Sequence, residues 1–128
     1  GSQNTEDLLP FEKSSEEVIE SKKIESIDYL YAYAHVFENV VFHVQVASLK
    51  DRKPLEQIGE KMEIDIPIQE KEVNGFYKYY VGNYLTYLEA KNMKEMLVQK
   101  GVDSFVIASK NGVSVNVQEL LESLSSKP

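Results

Sequence analysis

The sequence predicts an α+β domain in the order β-α-β-β-α-β, a four-stranded antiparallel sheet with two helices on one face. Three observations carry that expectation. The apolar period changes to two between Asn39 and Leu49. An Asn74-Gly75 pair divides two strand-like runs. Two stretches with helix-start signals separate the strands in the split βαβ arrangement, ferredoxin- or RNP-like.

In the first strand Val40, Phe42, Val44 and Val46 face one side, and Val41, His43, Gln45 and Ala47 the other. Lys50 to Lys53 break it. Pro54 suits the first position of a short helix carrying Leu55, Ile58 and Met62 at helical spacing. The second strand runs from Ile66 to Val73, and Pro67 suggests that it begins at an edge. Asn and Gly both tolerate positive φ, so Asn74-Gly75 is the strongest hairpin signal in the chain. The returning strand is Phe76 to Val81, closed by Gly82, with Tyr77 and Tyr79 sharing the core register of Val81.

Thr86 with Glu89 has capping-box spacing, and Ala90, Met93 and Leu97 line the helix that follows until Gly101. Phe105 to Ala108 form the fourth strand, and Asn111-Gly112 turns it into a short fifth, Val113 to Val115. Asn116 and Glu119 cap a short C-terminal helix through Leu120, Leu121 and Leu124. Ahead of the sheet, residues 1–13 read as a loose leader whose Gly1-Ser2 is a cloning remnant. Residues 14–38 read as a helical extension, capped by Ser14 with Glu17 and striped by Ile24, Ile27, Tyr31 and Ala34. Packing of that helix accounts for Tyr29, Tyr31 and Tyr33; it docks on the domain or on a partner.

Composition excludes several functions. The 128 residues are 42% apolar and 27% charged, a globular balance sufficient for one core. Absence of cysteine removes disulfides, thiolate catalysis and cysteine-ligated metals. No apolar run is long enough to span a bilayer. Net charge is −7, of which residues 1–37 hold −5, so the centre is nearly neutral. It lacks the basic stripe that nucleic-acid binding needs. No catalytic serine, metalloprotease or phosphate-loop motif is present, and His43 has no serine or carboxylate motif placed to partner it. Glu70 and Glu72 share a strand face, as solvated edge residues commonly do. The expectation is a protein that is not an enzyme and has no metal and no cofactor.

Phe42-His43-Val44-Gln45-Val46-Ala47-Ser48-Leu49 resembles the first strand of SPOR (sporulation-related repeat) domains. Tyr77-Lys78-Tyr79-Tyr80-Val81-Gly82-Asn83-Tyr84 resembles their third strand, which ends in Val-Gly before a polar residue and an aromatic. Glu89-Ala90 matches the Glu-Glu-Ala helix, and Gly101 to Ala108 resemble the last turn and strand. Lys110-Asn111-Gly112 resembles the next turn of a Bacteroidetes-like variant. The likeness covers roughly residues 39–115, leaving 116–128 as C-terminal helix and tail. Ala47 and Leu49 depart from the usual glycine and aromatic, and tryptophan is absent.

The resemblance implies a non-catalytic module that binds peptidoglycan, preferring glycan strands stripped of stem peptides. It implies a periplasmic or cell-envelope location, with a signal or anchor removed and envelope or division proteins as further partners. A homodimer through the N-terminal helix is an additional expectation. A glycan offers hydroxyls, acetamides and C–H patches, so its site needs ring faces beside amides or hydroxyls. On the helix-free face the candidates are Gln45, His43, Ala47, Lys78 and Tyr80, with Phe105 and Ile107 further along. Gln45 matches the family's strand glutamine and suits an acetamido sugar. Lys78 suits a lactyl carboxylate, and Tyr80 supplies a ring with a polar tip. Ser48 and Asn83, read as just past strand ends, contact ligand or cap turns. Equally, Gln45 and His43 read as ordinary surface residues, and a protein-interaction domain of the same fold without glycan binding is the alternative.

Overall fold

The computed structural model describes residues 28–125, so the leader, the Ser14–Glu17 cap and the Ile24–Ile27 part of the stripe lie outside the described residues. In chain order the elements are α1 (Asp28–Ala34), β1 (Val40–Leu49), α2 (Leu55–Met62), β2 (Ile68–Val73) and β3 (Phe76–Tyr84). They continue with α3 (Tyr87–Gln99), β4 (Phe105–Lys110), β5 (Val113–Val115) and α4 (Val117–Ser125).

All strand pairs are antiparallel, in the order β2-β3-β1-β4-β5. The first four strands have the split βαβ order expected from the sequence. The short fifth strand expected at Val113 to Val115 pairs with β4 and joins the sheet, which therefore has five strands rather than four. The fifth is built by Asn111-Gly112, whose φ angles of 52° and 82° permit the two-residue hairpin turn. Asn74-Gly75 does the same between β2 and β3, with φ of 52° and 84°.

The alternation in β1 puts Val40, Phe42 and Val44 into one core with Tyr79 and Val81 of β3 and Val106 and Ala108 of β4. Helix α3 closes that core with Tyr87, Ala90 and Leu97, and α4 adds Val117 and Leu121. Phe42, Tyr79, Tyr87 and Leu121 are fully buried. Truncating such a large core side chain to alanine typically destabilises by about 2–5 kcal/mol. Ile58 of α2 joins the same core, against which Ile68 of β2 also packs. The described helices therefore lie on one side of the sheet.

Local signals fix the helix starts. Thr86 Oγ1 accepts the Glu89 backbone N–H at 3.2 Å, and Asn116 Oδ1 accepts that of Glu119 at 2.8 Å. The Thr86 hydroxyl donates to the Glu89 carboxylate at 3.2 Å, closing the box through side chains. Pro54 is the cap rather than the first helical residue, with an extended ψ of 142°.

Helix α1 packs on its own domain, against α3 and α4. Its buried residues are Ala32 and Tyr33, and Tyr31 is 63% exposed, which corrects the stripe through Tyr31 and Ala34. The reason is the aromatic pairing available: the Tyr33 ring lies 4.7 Å from the Tyr87 ring, inside the helical layer. No helix among the described residues is long and apolar enough to cross a membrane.

Candidate functional site on the helix-free face

Directly opposed residues share a face of a sheet, so the register assigns every side chain. Gln45 of β1 is flanked by Tyr80 of β3 and by Phe105 of β4. Gln69 of β2 extends this row beyond Tyr80. One step along, His43 lies opposite Ile107. Val44, between them, faces Val81 and Val106 in the core. The row Tyr80–Gln45–Phe105 therefore belongs to the side away from the helices.

A cleft of about 1100 Å³ on this side is lined by His43, Gln45, Lys78, Tyr80, Phe105 and Ile107. One end is bordered by Lys71 and Asn74 of the β2–β3 hairpin, the other by Ser109, Ser114 and Asn116. Gln45 is 7% exposed because rings stand on both sides of it on a central strand.

The His43 and Tyr80 rings meet edge to face, with centroids 4.8 Å apart and an interplanar angle of 63°. His43 Nδ1 lies 2.8 Å from the Gly82 carbonyl oxygen. A carbonyl only accepts, so Nδ1 carries the proton, leaving Nε2 for another partner. The Lys78 ammonium stands 6.0 Å from the centre of the Phe76 ring, a cation–π distance that keeps its stem over the sheet.

Two irregularities in the β1–β3 ladder decide which residues reach the cleft. Between Phe42 and Val44 the β3 partners jump from Tyr84 to Val81, so Gly82 and Asn83 together oppose His43. Gly82 has φ of 81°, and a Cβ there would overlap the Tyr84 ring. Glycine satisfies both the bulge and that close approach. Strand β3 consequently runs on to Tyr84 instead of closing at Gly82. Burial, and then the nearby Glu89 carboxylate, push the Tyr84 hydroxyl pKa above its ordinary value.

Between Gln45 and Ala47 the β3 partners advance only from Tyr80 to Tyr79, making Val46 the extra residue. Val46 and Ala47 therefore both turn toward the core, where Val46 is 5% exposed and Ala47 packs on the core cluster. The expectation that Ala47 shares the face of Gln45 is corrected by this bulge.

Of the seven sequence candidates, Gln45, His43, Lys78 and Tyr80 come together in the cleft. Ala47, Ser48 and Asn83 do not line it. Ser48 is exposed opposite Lys78, and it lies inside β1 rather than past its end. Asn83 lies inside β3, exposed, and accepts a hydrogen bond from Gln69 Nε2 at 3.3 Å. Lys71, Ser109, Ser114 and Asn116 were not among the candidates; the Asn111-Gly112 turn is the sequence signal that places Ser114 opposite Ser109 of β4.

The helix-covered side has a polar edge of its own. Arg52 Nε and Nη2 donate to both oxygens of Glu70 at 3.0–3.2 Å. Tyr79 Oη accepts the Lys53 backbone N–H at 2.9 Å and lies 3.2 Å from Glu70 Oε2. The Arg52 hydrogen bonds are the main cause holding the Glu70 pKa below its ordinary 4.5. This cluster ties the β1–α2 loop to β2 and β3.

Ring faces, an amide and two lysines gather on a face of the antiparallel sheet that no described helix covers. A family model described as the SPOR domain matches residues 38–108, more than half of the chain, and the chain belongs to that family. SPOR domains are peptidoglycan-binding modules of envelope-associated proteins and have no catalytic role of their own. Neither the curated proteins nor the solved structures contain a match to the chain.

Proposed function

We propose that this chain is a peptidoglycan-binding module of the bacterial cell envelope that takes stripped glycan strands in the helix-free cleft. The observation that carries the reading is the row Tyr80–Gln45–Phe105, an amide between two rings inside the same cleft. Ring faces pack on the C–H patches of pyranoses, and the amide donates to and accepts from an acetamido group. Lys78 meets the lactyl carboxylate that stem-peptide removal exposes. Nothing in this scheme requires bond breaking.

Co-sedimentation with purified sacculi tests it. Retention rises after amidase removes the stem peptides, and a Gln45→Ala/Tyr80→Ala variant loses roughly tenfold or more in affinity, the sum of two lost contacts. Equal retention of variant and wild type would contradict the reading and favour a protein-interaction domain of the same fold.

A further inference from the structure

We infer that the β4–β5 end of the cleft is an accessory subsite for a neutral amidosugar ring, lengthening the glycan site beyond the SPOR domain match; this rests on the function proposed above. The match stops at residue 108, whereas the cleft continues across Ser109 to Ser114 and Asn116. Ser109 and Ser114 are directly opposed, so two hydroxyls stand side by side on the same face as Gln45 and Phe105. Asn116 uses Oδ1 to cap α4 through the Glu119 N–H, which leaves the two donors of its amide nitrogen.

The two ends of the cleft differ in chemistry. Lys71 and Lys78 stand at the hairpin end, with Glu72 beside them, while the residues named at the β5 end are uncharged donors and acceptors. A glycan with a carboxylate on alternate rings is thereby held in one register. A carboxylate-bearing ring lies toward Lys78, the central acetamide meets Gln45, and a neutral ring lies over Ser109 and Ser114. Five strands at about 4.8 Å spacing give roughly 19 Å from β2 to β5, enough for several rings.

Calorimetric titration of the full chain with stripped glycan fragments of two and six sugars tests the subsite. A Ser109→Ala/Ser114→Ala variant binds the six-sugar fragment about five- to tenfold more weakly than wild type. It binds the two-sugar fragment, which occupies the middle of the cleft, as wild type does. Retained two-sugar binding also shows that the variant is folded. Undiminished six-sugar binding by the variant would overturn the subsite alone. Failure of the wild type to bind either fragment would overturn both the subsite and the function on which it rests.

Discussion

Ala47 of β1 lies opposite Tyr79 of β3, on the helix-covered side of the sheet, although Gln45 only two residues earlier faces the cleft. The extra residue Val46 makes the difference, and it fixes where the binding face ends. An Ala47→Lys substitution therefore destabilises the fold by more than about 1 kcal/mol, because it drives a charge against the core. On a solvent face the same change would be nearly neutral. Urea denaturation distinguishes the two outcomes.

Adjacent tyrosines on β3 give a second contrast. Tyr79→Phe removes the hydroxyl that bonds Lys53 and Glu70, and lowers stability by about 1–2 kcal/mol with glycan retention unchanged. Tyr80→Ala does the reverse, weakening retention on sacculi while the melting temperature moves little. Loss of retention in Tyr79→Phe at matched folded fraction would place the site on the wrong side of the sheet.

Gly82→Ala destabilises by about 1–3 kcal/mol, since φ is 81° there and a Cβ would meet the Tyr84 ring. Adding Tyr84→Ala relieves the overlap but not the backbone conformation, so the double variant recovers only part of the loss. Thermal denaturation of both variants checks this, with full tolerance of Gly82→Ala contradicting the bulge.

The Arg52–Glu70 pair gives a pH signature. The Glu70 pKa is lowered in the folded chain, chiefly by hydrogen bonds from Arg52, so its contribution is fully present above the ordinary value of 4.5. That contribution is lost as the pH falls through the depressed folded pKa. Stability curves of wild type and Glu70→Gln therefore differ at neutral pH and converge in acid. Arg52 is largely exposed while the Glu70 side chain is mostly covered, so salt screens the pair only in part and narrows the difference. A gap that widens on acidification would contradict the assignment.

The fold was legible in the sequence where local chemistry and hydrophobic period agree. The alternation of Val40, Phe42 and Val44, the Asn74-Gly75 turn, and the Thr86 and Asn116 caps all act within a few residues. Register irregularities are different. Val46 and Ala47 fit the alternation begun at Val40, so nothing in them marks an inserted residue, and alternation alone puts Ala47 one face away from where it lies. Gly82 did carry a signal, because glycine inside a strand often marks a bulge. Reading it as a stop shortened β3 and left Asn83 outside the strand. The stripe of α1 failed because its phase is set by Tyr33 meeting Tyr87, a residue more than fifty positions away. Gln45, His43, Lys78 and Tyr80 were legible as a group because simple alternation holds between His43 and Gln45 and between Lys78 and Tyr80. The β5 end was not, since its face depends on pairing with β4.

The most direct measurement is an amide chemical-shift map of the isotopically labelled chain titrated with a stripped glycan tetrasaccharide. Saturable shifts are expected to concentrate at residues 43–45, 78–80 and 105–107, leaving α2 and α3 undisturbed. Shifts clustered on the helical layer, or none at saturating sugar, would contradict it.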